Sequence, residues 1–139
     1  MKMTRGLRNN NPLNIRRIAG TIWQGQLAEQ RDKKFVQFKS IEWGIRAACC
    51  ILKTYQRKYQ ATCVEDIITR WAPASENDTR KYVETVCRLT GFGGKERLAE
   101  SQLPALVYAM AFVECGAPIS KETISKAYSL YVKLKSNSK

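Results

Sequence analysis

Leu103-Pro-Ala-Leu-Val-Tyr-Ala-Met-Ala-Phe-Val-Glu-Cys-Gly116 is apolar on nearly every side until it reaches Glu114. A helix with no polar face has to lie inside a protein. Pro104 is tolerated in a first turn, and Gly116 and Pro118 stop the helix. The stretch predicts a buried helix over Leu103–Glu114 with other helices packed around it.

Working outward, the flanking segments carry matching signals. Ser40 is placed as an N-cap, and Ile41, Ile45, Ala48, Leu52, Tyr55 and Tyr59 then recur at helical spacing. Thr62-Cys-Val-Glu65 reads as a capping box opening a shorter helix with Val64, Ile67, Ile68 and Trp71, which Pro73 ends. Asn77 or Asp78 caps a further helix whose stripe is Tyr82, Val83, Val86 and Leu89, closed by Gly91. Ser120 caps the last helix. Ile119 and Ile124 form a hydrophobic staple there, and Ala127, Tyr128 and Tyr131 face inward. Residues 136–139 are expected to fray. Thr21–Leu27 and Phe35–Phe38 are short strand candidates around the polar turn Glu29–Lys33, a small β-hairpin. The expectation is one domain over residues 1–139, mainly α within the α+β class, with about five to six helices and one hairpin.

Composition narrows the chemistry. With 24 Lys and Arg against 12 Asp and Glu, the net charge is +12, which favours an anionic partner such as nucleic acid, an acidic membrane face or an acidic cell wall. The chain has no His. That excludes a Ser-His-Asp triad and a Cys-His pair, and it argues against hydrolytic zinc sites. Cys49, Cys50, Cys63, Cys87 and Cys115 have no CxxC spacing, and an odd number fits reduced, buried thiols. No metal or cofactor is expected, and any catalysis falls to carboxylates helped by Tyr, Lys or Asn. No apolar run is long enough for a membrane span, and Met1-Lys2-Met3-Thr4 leads into polar sequence without a signal peptide. The protein is expected to be made in the cytoplasm, without stable membrane insertion, and to be monomeric.

Two features carry chemistry. Arg8-Asn-Asn-Asn-Pro-Leu-Asn-Ile-Arg16 holds Asn9, Asn10, Asn11 and Asn14, a poor helix and a poor strand but a good turn. Its amides pair donors with acceptors, which suits amino-sugar hydroxyl and N-acetyl groups; the bland reading is a polar turn. Glu114 lies on the face of Ala111, Met110, Val107 and Leu103, at the C-terminal end of the most apolar helix. Burial and the helix dipole both oppose ionisation there, as a general acid at neutral pH requires. Otherwise the helix end releases it to solvent or an Arg pairs with it.

Arg5-Gly6-Leu-Arg8-Asn-Asn-Asn-Pro-Leu-Asn-Ile-Arg16, Trp23-Gln-Gly25, Phe35-Val-Gln-Phe38, Gly44-Ile-Arg-Ala47 and Trp71-Ala-Pro73 resemble, in that order, a group of phage and prophage lysins. The resemblance covers about Arg5 to Pro118 and implies a lysozyme-like fold and peptidoglycan degradation. In lysozyme-like glucosaminidases, a helix ending in a catalytic Glu precedes a similar Asn-rich strand. Here only nine residues precede Asn10, so the resemblance implies a circular permutation in which Glu114 arrives from the other end of the chain. Two departures stand out: Leu13 where the group usually has Gly, and Cys115 where Asn is common.

The expected function is that of a lysin cleaving the glycan strand, of muramidase, glucosaminidase or lytic transglycosylase type. Glu114 is the acid. Glu29 and Asp32 are candidates for a second carboxylate, or else a solvated turn. Tyr82 stabilises charge or positions substrate, or is a core Tyr. Asn10, Asn11, Asn14 and Asn77 are candidates for binding sugar, with Arg16 for the acidic wall. Trp23 is open between sugar stacking and core, and Trp71 is read as core. Peptidoglycan is the expected partner, met in the periplasm or wall after release or from a virion. Two rivals stay open. One is an endopeptidase on the same fold. The other is a basic helix-turn-helix over Val64–Trp71 and Asp78–Thr90, although its turn is long and Arg80, Lys81 and Arg88 make a thin recognition face. Nucleic acid is therefore not the expected partner.

Overall fold

The computed structural model describes residues 3–75 and 77–134. The fold is mainly helical. Its helices are α1 (Arg5–Arg8), α2 (Ile41–Tyr59), α3 (Val64–Trp71), α4 (Thr79–Thr90), α5 (Leu103–Cys115) and α6 (Lys121–Leu134), with a 3-10 turn at Glu100–Gln102. The frayed tail expected at 136–139 lies outside the described residues. None of the described helices is long and apolar enough to cross a membrane.

Helix α5 is the hub. It meets α1, α2, α4, α6 and the 3-10 turn. Val107, Ala109, Met110 and Ala111 are wholly enclosed, as the all-round apolar sequence requires. Gly116 ends α5 in the left-handed conformation. Along its other flank α2 packs lengthwise on α6, burying Ile45, Cys49 and Leu52 against Ile124, Ala127 and Tyr131.

The caps follow the sequence in three places. Ser40 Oγ accepts from Trp43 N at 3.4 Å, Asp78 Oδ1 from Lys81 N at 3.1 Å, and Ser120 Oγ from Thr123 N at 3.1 Å. The capping box at Thr62–Glu65 does not form. Cys63 holds the N-cap position without a side-chain bond, and Glu65 N instead donates to Gly94 O at 3.0 Å. A loop carbonyl has replaced the side-chain cap.

The hairpin expected over residues 21–38 is not there. Only two isolated antiparallel bridges remain, Arg16 with Phe35 and Gln26 with Phe38. Polar side chains occupy the positions a ladder needs. Asn11 Nδ2 donates to Ile15 O (3.0 Å) and Val36 O (2.9 Å), Gln30 Nε2 to Leu27 O and Gln37 O (both 2.8 Å), and Asp32 Oδ1 accepts from Phe35 N (3.0 Å). The backbone is satisfied without continuous pairing, so the segment is a stapled loop.

Two glycines bring this loop onto the helices. A Cβ at Gly44 would run into the Asn10 carbonyl, and one at Gly6 would press on Asn11 O and Asn14 Oδ1 at 3.0 Å. The first seats the Asn-rich turn on α2, and the second seats α1 against the end of α5, near Cys115. Leu13 causes no backbone difficulty. The left-handed residues of this turn are Asn10 (φ 53°) and Asn14 (φ 54°), which tolerate it, while Leu13 is fully buried core.

Candidate active site

Glu114 occupies the last turn of α5 and is bracketed by both flanks of the fold. Asn14 Nδ2 donates to its Oε1 at 3.2 Å and to its main-chain O at 3.1 Å. The second bond satisfies one of the carbonyls that a helix C-terminus leaves unpaired. Tyr82, buried on α4, donates its hydroxyl to Oε2 at 3.0 Å. The Trp71 side chain and the Arg16 charge also favour its ionised form.

Burial raises the Glu114 carboxyl above the ordinary range. Asn14, Tyr82, Trp71 and Arg16, in that order, pull it back down. The balance is a carboxyl that keeps its proton more readily than a surface Glu yet is supported by donors once ionised. Tyr82 is itself pushed well above its usual range, first by burial and then by the adjacent Glu114. It is a fixed donor and not a proton source near neutrality.

A groove of about 690 Å3 opens beside this carboxyl, with Asn14 and Trp71 in its wall. Aromatic side chains line it (Trp23, Tyr55, Trp71, Tyr131), as do the cations Arg16, Lys53 and Arg57. Trp71 and Tyr55 meet edge to face at 6.2 Å between ring centroids. Such a surface suits a ligand with flat apolar faces and negative charge.

No family model matches the chain. It is 42% identical over 127 residues to Protein P5 of Pseudoalteromonas phage PM2, an alignment spanning 89% of this chain and 79% of that protein. The chain belongs to this phage protein P5 family.

The remaining candidates sort differently in this P5-family chain. Asp32 accepts a two-pronged bond from Arg5 (2.7 Å to each oxygen) and others from Asn9 Nδ2 (3.0 Å), Lys34 N (2.9 Å) and Phe35 N (3.0 Å). Arg5 above all holds its carboxyl far below the usual range. As a candidate second carboxylate, Asp32 is an ionised loop anchor whose lone pairs are taken by these five bonds. Glu29 is exposed and pairs with Arg31 at 3.1 Å. Neither residue bonds to Glu114.

Among the described asparagines, Asn14 is the one that reaches Glu114. Asn10 Nδ2 is held by Phe38 O at 3.1 Å, and Asn11 is fully buried on the backbone of Ile15 and Val36. Asn77 is exposed and bonds Pro73 O at 3.3 Å. These three bond the chain's own backbone, and none of them bonds to Glu114. Trp23 is buried but lines the groove, and Arg16 is exposed beside it. Cys115 is enclosed, its Sγ 3.3 Å from Ala117 O, and adds no donor for the carboxyl.

Trp71, read as core, is the site residue that sequence reasoning missed. Its signal was its place: the last residue of α3, directly before Ala72-Pro73, where a helix end opens outward. Among the described residues no three His, Cys, Asp or Glu side chains group so as to hold a metal ion.

Proposed function

We propose that this protein cleaves the glycan strand of peptidoglycan, with Glu114 as general acid. The observation that carries the reading is one half-buried carboxyl, raised by its surroundings and gripped by Asn14 and Tyr82, with Asn14 also in the wall of an aromatic, cationic groove. Membership in a phage protein family fits a setting in which a bacterial wall has to be breached. The protein then acts in the wall, after release or from the virion. The contact between the Asn-rich turn and the far end of α5 also supports the lysozyme-like, permuted arrangement.

In this mechanism neutral Glu114 protonates the oxygen between two amino sugars as the bond to C1 breaks. With Asp32 engaged by Arg5 and Glu29 paired in solvent, a route needing one carboxylate is favoured. The resulting Glu114 carboxylate takes the proton from the sugar's own C6 hydroxyl as that oxygen closes on C1. Glu114 is thereby re-protonated, and the strand ends in an anhydro sugar. Asn14 and Tyr82 hold the carboxyl in both states, and their bonds tighten on the charged one.

The test is digestion of purified murein by the wild-type protein and by Glu114→Gln, with mass spectrometry of the fragments. Anhydro ends that disappear in the variant are expected. Reducing ends would point to hydrolysis, and newly freed peptide amines would replace this reading with peptide-bridge cleavage. Undiminished turnover by the variant would remove Glu114 from the reaction.

A further inference from the structure

Residues 46, 53 and 57 of α2 fall within about 40° of one another around the helix axis. All three are cations: Arg46, Lys53 and Arg57. Lys53 and Arg57 line the groove from its α2 side, and Arg16 lines it too. Glu100, 3.7 Å from Lys53, offsets part of this charge. Arg46 is the unusual member. Its side chain is wholly enclosed, and none of its three guanidinium nitrogens has a hydrogen-bond partner. A buried charge left unpaired is costly. Arg46 shares this side of α2, but the groove itself is lined by Lys53, Arg57 and Arg16.

We propose that the α2 end of the groove is a subsite for carboxylates of the acidic peptides that hang from the glycan strand. This protein would then take peptide-bearing strands in preference to a neutral amino-sugar polymer. The inference rests on the glycan-cleaving reading above. The sugars lie along Trp23 and Trp71 toward Glu114, and the peptide carboxylates reach Lys53 and Arg57. Charge complementarity selects this occupant, because a neutral chain gains nothing from the cationic stripe.

The experiment is a tryptophan-fluorescence titration of Glu114→Gln protein, with and without Lys53→Gln and Arg57→Gln. The ligands are a peptide-bearing tetrasaccharide from murein and a neutral N-acetylglucosamine tetramer. The peptide-bearing ligand is expected to bind more tightly, and the double substitution to weaken it about tenfold, as the product of two screened ion pairs. Added salt should act in the same direction. Affinity for the neutral tetramer, and the thermal unfolding curve, should hardly change, which guards against misfolding. Equal affinity for the two ligands, or an equal loss for both, overturns the proposal. So does duplex DNA binding more tightly than the peptide-bearing ligand at the same salt with the same dependence on Lys53 and Arg57. The two readings fail separately. If murein is never cut yet the titration shows the preference, the glycan-cleaving reading falls and the subsite stands. If murein is cut equally fast with and without its peptides, the reverse holds.

Discussion

Tyr82→Phe isolates one bond in the site. The substitution keeps the ring that packs beside α5 and deletes the hydroxyl that donates to Glu114 Oε2 at 3.0 Å. A hydrogen bond to a charged group contributes about 1.5–3 kcal/mol. The neutral carboxyl also accepts from Tyr82, so only the difference between its two states moves the equilibrium. Taking about half the bond gives about 0.75 to 1.5 kcal/mol, or up to about one pKa unit at 1.36 kcal/mol per unit. Burial already raises Glu114, and the loss of a donor that favours the ionised form raises it further. For a general acid the rate falls as pH climbs through its pKa, so the alkaline limb of kcat/KM should move up by up to about one unit. Carbon NMR of the Glu114 carboxyl follows the same titration without relying on turnover. A limb and a carboxyl titration that both stay in place would refute the argument that Tyr82 tunes this acid.

Three further outcomes follow from the geometry. Glu114→Gln should lower murein turnover by about 10²–10⁴-fold. Because the folded carboxyl titrates above its unfolded value, its contribution to stability is complete below about pH 4.3 and declines as pH rises through the raised value. The variant should therefore match the wild type in thermal unfolding at pH 4 and equal or exceed it at pH 8; a lower melting temperature at pH 8 would contradict this. Asp32→Ala removes the acceptor shared by Arg5, Asn9, Lys34 and Phe35, and should cost about 1–2 kcal/mol in urea unfolding at pH 7, discounted because Arg5 is half exposed. Since the folded Asp32 is depressed, that difference should shrink as pH falls below about 4. Arg46→Met replaces an enclosed, unpartnered guanidinium with an apolar side chain of similar reach and should stabilise the protein by about 2 kcal/mol. Destabilisation in the same urea assay would mean that the charge is satisfied after all.

The helices were legible in the sequence because their signals are local. Apolar stripes marked α2, α4, α5 and α6, with Ser40, Asp78 and Ser120 at the front of α2, α4 and α6 and Gly91 and Gly116 behind α4 and α5. Glu114 was legible for the same reason, since helical spacing alone placed it on the apolar face. Asparagine chemistry was not. Asn9, Asn10, Asn11 and Asn14 look alike in sequence, and whether each faces a ligand, a backbone or a carboxylate depends on partners roughly 4 to 100 residues away. The missing hairpin has the same origin. Alternation counts apolar residues, whereas Gln30, Asp32 and Asn11 decided the outcome by taking backbone bonds for themselves. Arg46 gave no warning, since a lone Arg in a helical stripe is ordinarily a surface residue.

The bond from Asn14 to Glu114 joins residues 100 positions apart. Closing so large a loop has a substantial entropic cost, met only when the intervening helices are already packed. During synthesis the N-terminal turn has to wait for α5 to leave the ribosome before it finds its partner. If the proposed activity holds, a growing chain lacks the assembled site until that moment, and proteolytic nicking between these positions should abolish the site and cooperative folding together.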